Sequence, residues 1–428
     1  MNRILFEDLN REQREKLISS GAGKLRWAEE HMPVLRKIGE DIKVNGSLKG
    51  IRIAMALHTE AKTGILALTL ARAGAAVRLT SCNPLSTDDP VAIALPQEDV
   101  APGSLEVRAR YGETREEYFD ALNWAIDMKP QVVIDDGGDL VKLLHTDRRE
   151  MLPHVIGGCE ETTTGIIRLI SLQKEGKLEF PMMDVNDCDM KHLFDNRYGT
   201  GQSTVDGILT ATNLSIAGRR CVVAGYGWCG RGIAMRLKGL GANVTVCEVD
   251  PVKAVEASMD GFRVHPMEKA CLDAGLIVTA TGCRDVIGRK VIPMLPDGVI
   301  LANAGHFNNE IDLGSLESLS DGRRRSREFV DTYMLSGRSI HVLSQGRLVN
   351  LVAGQGHPVE IMDMSFAIQA AGAEMIATKG AEMNNEVIRF PRELDEAIAR
   401  LKLEALGYSI DELSEDQIRY LNSWEEGT

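Results

Sequence analysis

An α/β fold is predicted, made of two doubly wound parallel sheets and a small C-terminal helical tail. Three observations predict it. Short apolar strands alternate with helices along most of the chain, polar or acidic motifs directly follow several strands, and one glycine-rich turn joins a strand to a helix. The chain has 428 residues, which is enough for two domains with hydrophobic cores.

The first predicted domain begins with helices over residues 1–45. Strands are predicted at 51–57, 76–80 and 132–134, with a helix at 62–73 between the first two. His58 follows the first strand. The third strand is followed by Asp135-Asp136-Gly137-Gly138-Asp139. Because ligands bind at the carboxyl ends of strands in open parallel sheets, both places are expected to border a binding site.

The second predicted domain contains a glycine-rich turn between a strand at 220–224 and a helix that ends near residue 239. Gly225 is expected to form the tight turn, Gly227 to admit a pyrophosphate, and Gly230 to let the helix pack on the strand. The helix N-terminus would hold the phosphates. The whole loop reads Gly225-Tyr226-Gly227-Trp228-Cys229-Gly230. The pattern indicates a Rossmann-like dinucleotide site, and a tight turn without any cofactor is the alternative.

One acidic residue predicts which dinucleotide the second domain binds. Glu248 follows the next predicted strand, at 243–247. A carboxylate in this place accepts hydrogen bonds from the adenosine ribose and repels a 2′-phosphate, so NAD is predicted rather than NADP. Further strands are predicted at 276–279, 299–302 and 340–343, and the chain is expected to return to helices from residue 357.

Three regions follow from this layout. Residues 1–186 and 353–395 are expected to form a discontinuous substrate-binding domain. Residues 187–352 are expected to form the NAD-binding Rossmann domain, and residues 396–428 the helical tail.

Composition argues against several classes of partner. The net charge of −13 disfavours nucleic acids and anionic membranes. No apolar run reaches the roughly 18 residues of a membrane span, and residues 1–12 do not resemble a signal peptide. The eight cysteines form no CxxC pair, so we expect reduced thiols in a cytoplasmic protein and no metal site. The basic run at 323–327 is expected to be a solvated loop, with an anion contact as the alternative.

An ordered series of motifs resembles the S-adenosylhomocysteine hydrolase family over residues 51–421. The series comprises Asp135-Asp136-Gly137-Gly138-Asp139, Glu160-Glu161-Thr162-Thr163-Thr164-Gly165, Val185-Asn186-Asp187, Lys191 with Phe194-Asp195-Asn196, the turn from Gly225 to Gly230, Asn303-Ala304-Gly305-His306-Phe307, Gly346-Arg347-Leu348-Val349-Asn350 and Gly356-His357-Pro358.

The resemblance implies hydrolysis of a nucleoside–homocysteine thioether without net use of NAD. In that family, NAD takes a hydride from the ribose 3′ carbon, the ketone acidifies the 4′ proton, and loss of this proton expels the 5′ thiolate. Water then adds and the hydride returns. The resemblance also implies one tightly bound NAD per subunit, a small-molecule substrate and a homotetramer.

The resemblance assigns roles to the catalytic side chains. Lys191 and Asp195 correspond to the proton acceptor at the 3′-hydroxyl and its orienting partner, and a lysine can accept that proton only if its pKa is lowered. Asp136 corresponds to the base at the 4′ carbon. His58 corresponds to the group that handles the leaving sulfur and the incoming water. Two more residues are assigned to this centre, Glu161 at the ribose and His306.

The predicted binding residues, from the glycine-rich pattern, the resemblance and the segment after His58 together, fall into two groups. Those expected to contact the substrate are Glu60, Lys62, Thr63, Asn186 and His357. Those expected to contact NAD are Thr162, Thr163, Thr164, Asn196, Gly225, Gly227, Trp228, Cys229, Gly230, Glu248 and Asn350.

The sequence departs from the common pattern of the family in three places. Thr200 stands where cysteine is frequent near the nicotinamide. The chain lacks the Lys- and Tyr-bearing tail that reaches a neighbouring subunit's NAD in many members. The segment after His58 carries Glu60 and Lys62.

The third departure leads to a hypothesis about the base. A carboxylate only accepts hydrogen bonds and an ammonium only donates them, so Glu60 and Lys62 would complement the ring N–H and the 6-oxo group of hypoxanthine. An inosyl substrate is therefore predicted, with the adenosyl compound as the alternative. A further alternative is that the two side chains pair with each other at the helix start and never touch the base.

Two other functions remain open at this point. One is an ordinary NAD-dependent dehydrogenase that exchanges its cofactor at every turnover. The other is a nucleotide-sensing regulator of the same fold, because fold alone does not determine function. The complete set of His58, Asp136, Lys191 and Asp195 argues against the regulator.

Overall fold

A computed structural model describes residues 9–424 and confirms the predicted α/β class. Its strands are β1 (Arg52–Ala56), β2 (Ala76–Thr80), β3 (Leu105–Arg108), β4 (Val132–Asp135), β5 (Gly157–Glu160), β6 (Met182–Asp184), β7 (Arg220–Ala224), β8 (Asn243–Cys247), β9 (Arg263–Val264), β10 (Leu276–Thr279), β11 (Val299–Asn303), β12 (Gly322–Arg327), β13 (Val330–Leu335), β14 (Arg338–Leu343) and β15 (Val387–Arg389).

The helices surround two sheets. They are α1 (Arg11–Glu30), α2 (Pro33–Asn45), α3 (Ala61–Arg72), α4 (Asp89–Ala94), α5 (Arg115–Ile126), α6 (Asp139–His145), α7 (Thr163–Lys174), α8 (Asp189–Lys191), α9 (Thr200–Thr212), α10 (Trp228–Gly239), α11 (Pro251–Met259), α12 (Met267–Ala270), α13 (Leu313–Leu319), α14 (Val349–Val352), α15 (Val359–Lys379), α16 (Arg392–Ala405) and α17 (Glu415–Leu421).

The first sheet has seven parallel strands in the order β15-β6-β5-β4-β1-β2-β3. The chain winds outward from β1 to β3 and then continues at β4 on the other side of β1. The strand order therefore reverses between β1 and β4, which is where ligands bind in such sheets. Ala56 pairs with Asp135 across this reversal, so His58 and Asp136 leave the sheet next to each other.

The second sheet has eight strands in the order β12-β13-β14-β11-β10-β7-β8-β9. It repeats the same winding, with the reversal between β7 and β10, where Ala224 pairs with Thr279. Strands β12 and β13 extend its edge in antiparallel fashion. Both sheets thus have the predicted Rossmann-like topology, and the glycine-rich turn follows the strand at which the order reverses.

Each sheet separates two hydrophobic cores, because successive side chains of a strand point to opposite faces. In β1, Ile53 and Met55 belong to one core and Ala54 and Ala56 to the other. The alternating residues of β7 likewise divide between the two cores of the second sheet. All of these side chains are almost fully buried, which explains why the strands read as continuous apolar runs.

The chain passes between the sheets twice, close to the carboxyl ends of the strands. The first passage consists of α8, a π-helical stretch at His192–Gly199, and α9. The second is the segment 353–358 that leads into α15. A π-helix is rare and frequently marks a functional site, and this one contains two of the predicted site residues, Asp195 and Asn196.

Several details differ from the sequence-based expectations. The basic run at 323–327 is not a loop: it lies in β12, an exposed edge strand whose arginines point to solvent. The glycine-rich loop is shorter than predicted, because α10 already begins at Trp228. Strand β15 lies inside the predicted C-terminal helical region and pairs with β6.

The proposed domain boundary at residue 395 falls inside α16. This helix packs Ile398 into the hydrophobic core that also contains Ile53 and Met55 of β1. The ends of the chain at 1–8 and 425–428 lie outside the described residues, and so do the parts of the predicted helical start and polar terminus that fall there. Within residues 9–424, no helix combines the length and apolar character needed to cross a membrane.

Candidate active site

One cavity of about 1120 Å³ is bordered by the carboxyl ends of strands from both sheets. It is lined by all the residues that the sequence assigned to substrate, cofactor or catalysis, with the exception of Gly230. The two sequence-predicted sites, one in each domain, therefore form a single continuous space.

The glycine-rich turn meets the steric demands of a dinucleotide. Gly225 has a φ of +96°, and a Cβ added there would lie 2.6 Å from the carbonyl oxygen of Ala280. A Cβ on Gly230 would lie 1.9 Å from the carbonyl oxygen of Gly225, so Gly230 lies beneath the turn and permits the close packing of helix and strand. No described atom lies within 4 Å of the Cβ position of Gly227, which leaves room for a phosphate to approach the backbone.

Two further observations fit NAD. The Glu248 carboxylate accepts hydrogen bonds from the backbone N–H of Tyr226 at 2.6 Å and of Val249 at 2.7 Å, which fixes it at the end of β8. On the opposite wall, Asn350 donates to Ser203 at 3.2 Å, whereas its buried Oδ1 has no hydrogen-bond partner among the described residues. A buried, unpartnered acceptor in a cavity wall fits a donor group of a bound ligand.

The third part of the cofactor region is the N-terminus of α7. Thr162, Thr163 and Thr164 form the first turn of this helix and line the cavity. A helix N-terminus carries unpaired N–H groups and a partial positive charge, which suit a phosphate or a ribose hydroxyl. Asn196, from the π-helical stretch, faces the same space.

A buried lysine lies at the centre of the cavity wall. The Lys191 Nζ donates to Asn196 Oδ1 at 2.8 Å and to Asn186 Oδ1 at 3.2 Å. Two carboxylates flank it, Glu161 at 3.6 Å and Asp195 at 3.7 Å. All five side chains are almost fully buried, so this polar group is held away from bulk water.

Burial and charge act in opposite directions on this cluster. Burial alone would lower the pKa of Lys191, but the carboxylates of Asp195, Glu161 and Asp136 together outweigh it and the pKa is raised. Burial would raise the pKa of Asp195, yet Lys191 and His357 hold it below its usual range. Burial raises the pKa of Glu161 to about 8 despite the nearby ammonium. The lowered lysine pKa that the assigned role requires is therefore not found: the Lys191 pKa is raised.

His357 is tied to Asp195 and to the first passage between the sheets. Its Nδ1 lies 3.1 Å from Asp195 Oδ1, and its Nε2 lies 3.2 Å from Thr200 Oγ1. Cys229 donates its thiol to the same threonine hydroxyl at 3.6 Å. Thr200, the unusual residue of the first departure, thus links the cofactor turn to the catalytic pair through His357.

A second acid–base cluster lies across the cavity. Asp136 faces His58 Nε2 at 3.4 Å and His306 Nδ1 at 3.6 Å. His58 also contacts Ser86 Oγ through Nδ1 at 2.7 Å, and burial lowers its pKa to about 4. A neutral imidazole beside a carboxylate can give or take a proton. The three side chains present ligand atoms within 4.8 Å of one another, a spacing that a metal ion could also use.

Glu60 and Lys62 form an ion pair in the cavity wall, with Nζ and Oε2 2.6 Å apart. Glu60 also caps α3, because its carboxylate accepts from the backbone N–H of Lys62 and Thr63. The Lys62 ammonium makes a second bond, to the carbonyl oxygen of Gln355 at 2.7 Å. The two side chains therefore pair at the helix start, while both remain on the surface of the cavity.

Several supporting residues were not found from the sequence. Ser365 donates to Asp195 at 3.0 Å, and Gln369 donates to Glu161 at 2.6 Å, both from α15. Cys82 donates its thiol to Asp136 at 3.6 Å. These residues are isolated in the sequence and far from their partners, so no local pattern could have indicated them.

Two family models match this chain, one over part of the first domain and one over the second. Residues 13–156 match the family described as S-adenosyl-L-homocysteine hydrolase, and residues 196–356 match the S-adenosyl-L-homocysteine hydrolase NAD binding domain. The second match covers the glycine-rich turn, Glu248 and Asn350.

Curated relatives align over nearly their full length. An S-inosyl-L-homocysteine hydrolase of Methanocaldococcus jannaschii is 55% identical, over 96% of this chain and 98% of that protein. An adenosylhomocysteinase of Thermoplasma acidophilum is 52% identical, over 96% and 99%. A second adenosylhomocysteinase, from Archaeoglobus fulgidus, is 52% identical, over 95% and 100%. These matches confirm the predicted NAD cofactor and the predicted class of enzyme, an NAD-dependent hydrolase, and this chain belongs to the S-adenosyl-L-homocysteine hydrolase family.

Proposed function

We propose that this enzyme reversibly hydrolyses S-inosyl-L-homocysteine to L-homocysteine and inosine, in preference to S-adenosyl-L-homocysteine. Relatives with either name are similar to this chain to nearly the same degree, at 55% and 52% identity. Overall similarity therefore does not separate the two substrates, and the choice rests on the side chains that would meet the base. The adenosyl compound is the second candidate.

The preference for the inosyl base rests on one N–H donor of the Lys62 ammonium that no described residue accepts. An ammonium has three N–H donors, and among the described residues two of them are used, by Glu60 and by the carbonyl oxygen of Gln355. The third can donate into the cavity, and with only 10% of the side chain exposed, water competes weakly. A 6-oxo group accepts such a bond, whereas a 6-amino group presents N–H donors to a cation.

Glu60 supports the same base. Its carboxylate has about four acceptor positions. Oε1 accepts from Thr63 N at 3.2 Å and from the Thr63 hydroxyl at 3.5 Å, both of them long bonds, and can accept a further donor from the cavity. The ring N–H of hypoxanthine can donate to this oxygen. The ring nitrogen of adenine at that position only accepts, so it would face a carboxylate without a proton between them.

The remaining roles are assigned from the two acid–base clusters. When bound, NAD supplies reversible removal of a hydride from the ribose 3′ carbon. Lys191 and Asp195 bind the 3′-hydroxyl, and Glu161 with Asn186 orients the ribose. Lys191 accepts the 3′ proton only as the neutral amine, which requires that a cationic neighbour such as bound NAD⁺ lower its raised pKa. Asp136 takes the 4′ proton. His58 is neutral because its pKa is lowered, so it can receive this proton from Asp136, 3.4 Å away, and give it to the leaving sulfur. Neutral again, it takes a proton from the incoming water.

The assembly and the compartment are also proposals. We infer a homotetramer, as the family resemblance implies, and the exposed apolar side chains of the C-terminal segment, among them Leu413, Ile418 and Trp424, would be covered by neighbouring subunits. The eight cysteines are all free thiols, which supports a reducing, cytoplasmic environment.

The base preference is tested by measuring kcat/KM for both thioethers. We expect higher efficiency with the inosyl compound. Each mismatched buried polar group costs about 1–3 kcal/mol, so the preference should be roughly tenfold or more. The double variant Glu60→Thr, Lys62→Gln removes the carboxylate and the ammonium and should shift the preference towards the adenosyl compound.

A matched control uses another ion pair that involves α3. Arg72 at the end of this helix bonds Glu29 of α1, away from the cavity. The variant Glu29→Thr, Arg72→Gln should leave the preference unchanged. Equal or better efficiency with the adenosyl compound in the unmodified protein contradicts the proposal, as does an unchanged preference in the double variant at Glu60 and Lys62.

A further inference from the structure

Glu160 is a buried carboxylate next to the catalytic centre that has no role in the reaction described above. It ends β5, directly before Glu161, and its side chain is fully shielded from solvent. Its Oε1 accepts two backbone hydrogen bonds, from Gly137 N at 2.8 Å and from Thr162 N at 3.0 Å. These two N–H groups belong to different loops, which follow β4 and β5.

Each of the two loops carries part of the site. The first contains Asp136, the proposed base, immediately before Gly137. The second contains Thr162, the cap position of α7, whose first turn faces the cofactor space. A single oxygen atom of Glu160 is therefore bonded to both the loop of the base and the loop of the cofactor.

Besides Glu160, Arg168 also holds the loop of the base, because its guanidinium donates to the carbonyl oxygen of Gly137. Gly137 and Gly138 have φ values of +106° and +77°, a conformation that glycine adopts freely and that leaves the loop flexible unless its polar groups are held. Asp135 holds the N–H of Asp136 at 3.0 Å. A Cβ on Gly137 would lie 2.3 Å from His306 Nε2, so the loop has to keep its place against this imidazole to within a few tenths of an ångström.

The surroundings of Glu160 are shaped to accept its carboxylate. A Cβ on Gly165 would lie 2.1 Å from the carboxyl carbon, so only glycine leaves space there. The other oxygen, Oε2, has no hydrogen-bond partner among the described residues although it is buried. A buried polar atom without a partner is costly. Burial also raises the pKa of Glu160 well above its usual range, which favours the neutral acid, and Oε1 of the neutral acid still accepts both N–H groups.

We propose that Glu160 is a positioning residue that holds the Asp136 loop and the Thr162 turn in one register, and so aligns the base with the 4′ carbon of a substrate oriented by the cofactor side of the site. The inference rests on the proposed role of Asp136. Glu160 acts through these two backbone groups and does not touch the reacting atoms.

The test compares two partial steps of the NAD-loaded enzyme. One is the appearance of reduced cofactor on mixing with substrate, and the other is exchange of the substrate 4′ hydrogen for solvent deuterium. Glu160→Gln keeps an oxygen that can accept both N–H groups, and its ratio of exchange to reduction should stay within about threefold of wild type. Glu160→Asp keeps the carboxyl group but is one methylene too short to reach both, and its ratio should fall roughly 10- to 100-fold, because small misplacements of a catalytic group are costly.

A buried carboxylate elsewhere provides the control for general destabilisation. Asp363 Oδ1 also accepts two backbone hydrogen bonds, from Val34 and Leu35. Asp363→Asn should lower the melting temperature but leave the ratio of the two steps at the wild-type value. The Gln and Asp variants of Glu160 differ in reach, so their comparison does not depend on a truncation to alanine, which could fail to fold.

Three results would overturn the inference, and the third is distinguishable from the first two. A wild-type ratio in Glu160→Asp, or an equal fall in the Gln and Asp variants, would show that the two bonds of Oε1 do not align the base. Unchanged exchange in Asp136→Asn would instead refute the role of Asp136 and the inference with it.

Discussion

Replacing Lys191 by alanine is expected to abolish the first chemical step, so that no reduced cofactor appears when NAD-loaded enzyme is mixed with substrate. Lys191 lies between Asn186 and Asn196 in a wall with almost no solvent access. Water therefore cannot readily replace it as the acceptor of the 3′ proton. Loss of a positioned acid–base group costs roughly 10²–10⁴-fold in rate, and stopped-flow absorbance of the cofactor measures it.

A second variant separates proton transfer from charge. Lys191→Arg keeps the positive charge beside Asp195, but a guanidinium does not release its proton in this pH range. If Lys191 accepts the proton, the arginine variant should be nearly as slow as the alanine variant. Wild-type reduction in Lys191→Arg would show that only the charge is needed, and would contradict the assigned role.

Replacing Asp136 by asparagine is expected to preserve reduction of the cofactor, which Lys191→Ala abolishes, but to block the later elimination step. The variant keeps the size of the side chain but cannot take the 4′ proton. Oxidation at the 3′ carbon can still occur, so reduced cofactor should accumulate while release of homocysteine falls roughly 10²–10⁴-fold. Single-turnover measurement of both signals on the same sample distinguishes this outcome from a general loss of activity.

Asp139 offers a matched control for that experiment. It belongs to the same acidic motif, but it bonds Arg168 at 2.9 Å and Tyr118 at 3.2 Å, and it is not among the residues that line the cavity. Asp139→Asn should leave the ratio of the two signals near the wild-type value. If both asparagine variants behave alike, the distinction drawn between the two acids is wrong.

Much of the fold could be predicted because its signals are local. The strands at 76–80, 220–224, 243–247 and 276–279 have the predicted bounds, since buried parallel strands read as short apolar runs between turns. The glycine-rich turn was recognised because its glycines meet specific steric demands. Strand β15 was missed since three residues carry little pattern of their own, and its pairing partner β6 lies some two hundred positions earlier in the chain.

The candidate site was predicted as a set of residues, but the contacts between them were not. His357 was expected to bind substrate, and its contacts with Asp195 and Thr200 were not foreseen. The charge state of Lys191 depends on carboxylates that reach it from other elements, so its raised pKa follows from tertiary structure alone. The π-helical stretch that carries Asp195 has no sequence signal that separates it from an ordinary helix.

The residues that hydrogen-bond to the site residues and hold them in place were the least predictable part of the site. Ser365 and Gln369 lie on α15, which follows the whole second domain in sequence but packs against the first sheet. In the sequence, Glu160 is only one residue of an acidic motif. Its bonds to two separate loops could not be predicted, because they depend on the pairing of β4 with β5. Such contacts join residues that are far apart in the sequence. Local patterns in a single sequence do not indicate which distant residues will meet.

The central claim is that the enzyme oxidises and reduces its substrate within one turnover, so that the net reaction is hydrolysis. The most direct measurement incubates NAD-loaded protein with S-inosyl-L-homocysteine and follows free thiol and reduced cofactor together over many turnovers. The account predicts that homocysteine accumulates in proportion to time, while reduced cofactor never exceeds the amount of enzyme. Formation of one reduced cofactor per product, or the absence of free homocysteine with either thioether, would contradict it.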